Sequence, residues 1–155
     1  MSFKLNDRLT QGFLAGVVGW VPEALFTLPM YGIFHLVKLR YLDYAAILAW
    51  GNSPQGLVQS LFAEFVVIIF LGFLGILFTM LIKIVFSDNF VFKGWLFGAV
   101  FWFAIFSIFA FFKIKGIVGV VDFKTAFFNL VGASIWGIAM TLVLLFLNRR
   151  YGVKN

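Results

Sequence analysis

Gly12-Phe13-Leu14-Ala15-Gly16-Val17-Val18-Gly19-Trp20-Val21-Pro22-Glu23-Ala24-Leu25-Phe26-Thr27-Leu28-Pro29-Met30 is the stretch that decides how this chain folds. It is apolar apart from one carboxylic acid and one hydroxyl, and the apolar run continues to about Leu36. A bilayer-spanning helix needs roughly 20 such residues. Wound at 3.6 residues per turn, Gly12, Gly16, Gly19, Glu23, Thr27 and Met30 fall within an arc of about 80°. A carboxylate near the bilayer centre costs roughly 2.5–3.5 kcal/mol even on mild insertion scales, so it faces protein or water. Small residues let helix backbones approach closely where lipid removes the hydrophobic drive. The stripe, Glu23 included, therefore points into a bundle.

The rest of the chain agrees. Of its 155 residues, 63% are hydrophobic and 12% charged, with a mean hydropathy of +1.07. Soluble domains carry about 45–50% apolar and 25% charged residues, so the excess here must face lipid. Apolar runs cover about 12–36, 56–84, 92–112 and 123–147. The first is too long for a signal-peptide core and is retained. It carries Pro22 and Pro29, which free the carbonyls of Val18 and Leu25 and favour a kink. Between the first two runs, Tyr41–Trp50 is too short to cross. Its tyrosines and tryptophan suit the interface, which predicts a short interfacial or re-entrant helix. The fold class is thus an all-α membrane protein, four transmembrane helices in one bundle over 1–155 with one short extra helix at about 41–50.

Composition also excludes chemistry. The chain has no cysteine and one histidine, which removes thiolate catalysis and any single-chain multi-histidine metal centre. No GxSxG, HExxH or phosphate-loop pattern is present, so the chain reads as non-enzymatic, without catalytic residues, cofactor or metal. A formal charge of +6 does not form a nucleic-acid patch. The basic residues bracket the apolar runs in ones and twos, where they anchor helices at the headgroups. With four spans both termini share a side. Lys4, Arg8, Lys83, Lys93, Arg149, Arg150 and Lys154 lie there, against Lys38, Arg40, Lys113, Lys115 and Lys124 opposite. That excess puts both termini in the cytoplasm.

The other spans carry weaker stripes. Ser60, Glu64, Gly72, Gly75 and Thr79 share about 120° of the second span. The fourth offers Asn129, Gly132, Ala133, Gly137 and Met140, and the third has Gly94 and Gly98 in a wall of aromatics, with Ser107 on its far side. The predicted polar interior is lined by spans one, two and four, with Glu23, Glu64, Thr27 and Asn129 as its candidate site. Gly12, Gly16, Gly19, Gly72, Gly75, Gly94 and Gly98 are the expected packing contacts. The leading reading is that the carboxyls hydrogen-bond to Thr27, Asn129 or a carbonyl and fix packing, for a structural or assembly role. The alternative is a small transporter or channel in which they bind protons or cations along a line from His35 past Glu64 to Glu23.

Two further patterns bear on organisation. Gly12–Trp20 matches Gly94–Trp102 at Gly, Leu, Gly, Val and Trp, consistent with a parallel two-span repeat over 1–85 and 88–150. The set Leu5-Asn6-Asp7-Arg8, Gly12–Gly16, Leu42-Asp43-Tyr44-Ala45-Ala46, Gly72–Ile76, Phe92–Gly98 and Ala133–Gly137 resembles a group of small four-span bacterial membrane proteins without an established activity. The resemblance covers nearly the whole chain and implies a bacterial cytoplasmic-membrane location. The bilayer is the one partner the residues demand, with a homo-oligomer or another membrane protein compatible.

Overall fold

The computed structural model describes residues 7–82 and 89–151. Five helices follow one another: α1 (Arg8–Gly32), α2 (Tyr41–Trp50), α3 (Leu57–Leu81), α4 (Phe90–Phe111) and α5 (Phe123–Tyr151). All but α2 are long and apolar enough to cross a membrane. The 25 residues of α1 or α3 make about 37 Å of helix, more than a hydrocarbon core of about 30 Å, so each tilts or protrudes. The outer faces of α1, α3 and α4 carry Leu25, Val58, Phe103 and Phe111, all exposed, as a lipid-facing surface requires.

The helix bounds follow local chemistry. Asp7 caps α1 by accepting the Thr10 backbone N–H at 2.9 Å, and Asn89 caps α4 by accepting that of Phe92 at 3.1 Å. α1 passes through Pro22 and Pro29 as one helix but ends at Gly32, four residues before the apolar run does. Residues 33–36 instead fold back, with the Phe34 N–H on the Pro29 carbonyl and the Leu36 N–H on that of Met30. The fourth span runs on to Tyr151, past Leu147, and the third occupies 90–111. The expected end of the second span at 83–84 and the basic residues Lys4, Lys83 and Lys154 lie outside the described residues, as do Leu5 and Asn6 of the resembling set.

In cross-section the long helices pack in the order α3, α1, α5, α4. Glycines set that order. A Cβ on Gly12 would lie 2.8 Å from the Gly75 carbonyl oxygen, and one on Gly16 would collide with that of Leu71, so α1 and α3 touch backbone to backbone. Gly19 does the same toward α5, where a Cβ would sit 2.9 Å from the Met140 nitrogen. Gly94 and Gly98 of α4 rest on the Gly137 and Ala133 carbonyls of α5. The Gly-x-x-x-Gly step thus meets its partner helix in the same way in both halves. Trp136 locks the centre, donating its indole N–H to the Gly16 carbonyl at 3.0 Å.

The short helix is re-entrant. Trp50, at its C-terminal end, packs on Phe62 near the start of α3, whereas Tyr41, at its N-terminal end, reaches in beside Glu23. Leu42 and Ala46 pack on Ala63 and Val67 in between. Segment 33–40 therefore descends into the bundle and α2 climbs back out. Irregular backbone at that depth must find partners in protein. It does so on α5: the Lys38 N–H donates to Thr125 Oγ1 at 3.0 Å, and Asn129 Nδ2 donates to the Leu39 carbonyl at 3.2 Å. The tyrosines are not the interfacial anchors their type suggests. Tyr44 is 3% exposed and its hydroxyl accepts from Asn129 Nδ2 at 2.8 Å. The Tyr41 hydroxyl donates to the Asn129 carbonyl at 2.9 Å.

At the mouth of this hairpin Asp122 joins two structures. Its Oδ1 accepts the Thr125 N–H at 2.9 Å, capping α5, and its Oδ2 meets Lys38 Nζ at 3.1 Å. The Thr125 backbone bond, then its side chain and Lys38, hold the carboxyl well below its ordinary value of 3.8. A depressed carboxylate stabilises the fold fully above that ordinary value and loses its effect only as pH falls through the folded one. Thermal unfolding of Asp122→Asn is therefore expected below wild type at neutral pH, with the two curves merging only in strong acid. A gap that closes already at pH 5 would contradict a carboxylate held low by Thr125 and Lys38.

Candidate functional site

Glu23 lies nine residues from the end of α1, about 14 Å along the helix, on the half of the membrane that holds the re-entrant segment. It is 5% exposed. Thr27, one turn on, donates its hydroxyl to Glu23 Oε1 at 2.7 Å. Gly132 of α5 makes room for the pair, since a Cβ there would stand 3.3 Å from both Glu23 Oε1 and Thr27 Oγ1. This hydrogen bond joins residues of one helix. It does not stitch two together.

The stitching falls to other groups. Asn129, expected beside Glu23, spends its side-chain amide nitrogen on Leu39 and Tyr44, and its backbone carbonyl accepts from Tyr41. It anchors the hairpin. Thr79, predicted on the polar stripe of α3, bonds back to the Ile76 carbonyl of its own helix, and Ser60 to that of Gly56.

The carboxyl of Glu23 instead forms part of the wall of two cavities. One, of about 240 Å³, also holds Glu64, Trp20, Thr27, Arg40 and Tyr41. Glu64 is half-buried here, so the two acidic residues do share a space. Arg40 enters it already engaged, with Nε 3.0 Å from Asp43 Oδ2 and its guanidinium 4.0 Å from the centre of the Tyr31 ring. His35 does not line it. That residue is exposed in the connecting segment with a positive φ of 51°, and the cavity wall beside Glu64 is supplied by Arg40 and Tyr41 instead.

The second cavity, of about 340 Å³, is bounded by α2, α3, α4 and α5, with Glu23 in its wall. Phe101, Ile105 and Phe109 contribute to it, so the third span supplies part of the interior lining as well as lipid-facing surface. α3 and α4 meet through rings, Phe70 on Phe101 at 5.6 Å and Phe78 on Phe97 at 5.2 Å between centres. A third space, of about 240 Å³, lies at the opposite end of the bundle among Arg8, Gln11, Thr141 and Asn148. The glycine contacts of α1 with α3 and α5 stand between it and Glu23.

Sequence reading misses Arg40 and Tyr41 as site residues. The Arg40-x-x-Asp43 spacing is the signal that could have marked a helix start, because Asp43 Oδ2 accepts the Arg40 backbone N–H at 2.7 Å. Among the described residues no cluster of three metal-ligating side chains forms. No known protein family, curated protein or solved structure matches this chain.

Proposed function

We propose that this chain is a non-enzymatic integral membrane protein that binds a proton or monovalent cation at Glu23, as a small carrier. The observation that carries the reading is the place of the Glu23 carboxyl, buried in the wall of two cavities and, among the described residues, bonded within its own helix. A carboxyl kept for packing would be expected to bridge helices, as Asn129 and Trp136 do. A deep acidic residue with room beside it is the usual mark of an ion or proton path. Glycine contacts close the bundle between Glu23 and the far cavity, which favours alternating access over an open channel. The groups facing Glu23 are Glu64 from α3, Arg40 and Tyr41 from the re-entrant segment and Thr27 from α1 itself.

The second reading, a structural or assembly role with a homo-oligomer or membrane-protein partner, draws on the glycine-built contacts alone. We place the protein in a bacterial cytoplasmic membrane with both termini inside, on the resemblance and on the basic residues at the terminal side.

Reconstitution into liposomes tests the carrier reading. Saturable proton or monovalent-cation exchange is expected for the wild type, and its loss, about 100-fold or more as for an essential group, for Glu23→Gln with the fold retained. Absence of exchange in the wild type, or equal exchange in the variant, would remove the reading.

A further inference from the structure

The larger cavity has a composition that the carrier reading does not use. Six of its fifteen lining residues, Tyr41, Tyr44, Phe70, Phe101, Phe109 and Trp136, are aromatic, against 21% in the chain as a whole. Both tyrosine hydroxyls are already committed to Asn129, so these residues offer the cavity chiefly their rings. The remaining walls are aliphatic, and the one carboxyl is that of Glu23. At about 340 Å³ the space sits at the small end of ligand pockets, roughly 300–1,000 Å³.

Each feature narrows the occupant. An anion would meet Glu23 in a medium that screens charge poorly. A metal ion stripped of its water would need about six oxygen ligands, which these walls do not hold. A hydrocarbon tail alone would leave the buried carboxyl with no partner beyond Thr27. Ring faces attract a cation that sheds its water cheaply, which is the property of an alkylated ammonium. We infer that the cavity is a binding site for a hydrophobic organic monocation, an alkyl- or arylammonium, with its charged nitrogen toward Glu23 and its apolar body among the rings. Leu48 and Ala49 of α2, both exposed, belong to its lining, and α3 and α4 meet there through the tilted rings of Phe70 and Phe101, so entry is lateral, from the lipid. The inference rests on the reading of Glu23 as a cation-binding group.

The test uses the full chain in nanodiscs of zwitterionic lipid, titrated with benzyltrimethylammonium and with its uncharged carbon isostere, neopentylbenzene. Binding is followed by calorimetry and by tryptophan emission, to which Trp136 in the cavity wall contributes. Saturable binding of the cation is expected, weakened about tenfold or more by Glu23→Gln and about fivefold by Phe101→Leu. Ala49→Phe, which narrows the cavity, weakens it as well. Equal binding of the neutral isostere, or no effect of Glu23→Gln, would make the cavity a site for apolar chains and overturn the inference. Glu23-dependent proton exchange without ammonium binding would also overturn it while leaving the carrier reading intact. Loss of both would remove the two together.

Discussion

Gly16→Leu is expected to dismantle the bundle. A Cβ at this position runs into the Leu71 carbonyl oxygen and stands 3.1 Å from the Gly72 Cα, and both obstacles are backbone. Neither can rotate away as a side chain would. α1 must then move off α3, and with it goes the Gly16 carbonyl that receives the Trp136 indole N–H at 3.0 Å. Overpacking in a well-filled core costs about 1–3 kcal/mol and occasionally more. The lost hydrogen bond adds about 1 kcal/mol. A total on the order of 3 kcal/mol or more is a large part of a stability of about 5–15 kcal/mol. Steric trapping or thermal denaturation in micelles reads it directly. The control is Leu25→Ala on the lipid-facing side of the same helix, where Leu25 is 70% exposed and a change within about 0.5 kcal/mol is expected. If the two variants unfold alike, α1 and α3 do not meet through Gly16.

Asn129→Leu is the second large effect, and it acts on the hairpin. Leucine is close in size but cannot donate, so the Leu39 carbonyl and the Tyr44 hydroxyl lose their partner in a buried place. Each unsatisfied buried group costs about 1–3 kcal/mol, which puts the pair at about 2–6 kcal/mol. The hairpin should loosen before the bundle does, because the glycine contacts of α1, α3, α4 and α5 do not involve Asn129. The chain lacks cysteine, so a single Val37→Cys reporter in the descending segment can be read without background. Val37 is 3% exposed. Its labelling by a water-soluble maleimide is expected to rise at least tenfold in Asn129→Leu, with little change in the melting of the long helices. Protection equal to that of the parent would mean the segment is held by something other than Asn129.

These two positions also mark what was readable from the residues alone. Gly16 stood out because a glycine stripe has helical period, and period survives in sequence whatever surrounds it. Spans appear for the same reason, as run length and hydropathy. The short helix was expected as interfacial or re-entrant, and the choice stayed open because Tyr41, Tyr44 and Trp50 look alike whether they float at the headgroups or sit inside protein. Only partners decide, and those partners, Thr125 and Asn129, lie 87 to 90 residues further on. Asn129 was assigned to Glu23 for want of that knowledge. The cavity beside Glu23 was equally out of reach, since it is space left between α3 and α4 and no residue names an absence. The inward direction of Glu23 followed from the arc it shares with Gly12, Gly16 and Gly19, and the structure puts all four inside.

The distance along the chain between the descending segment and its partners has a consequence for biosynthesis. While the ribosome is still making α3 and α4, the Leu39 carbonyl and the Lys38 amide have no α5 to meet. Unpaired peptide groups are barred from hydrocarbon, so residues 33–40 must wait at the water side of the nascent protein. Only when the last helix leaves the translocon can that strand of backbone sink to its final depth. A chain stopped before Phe123 would be threaded through the membrane and yet lack its finished interior.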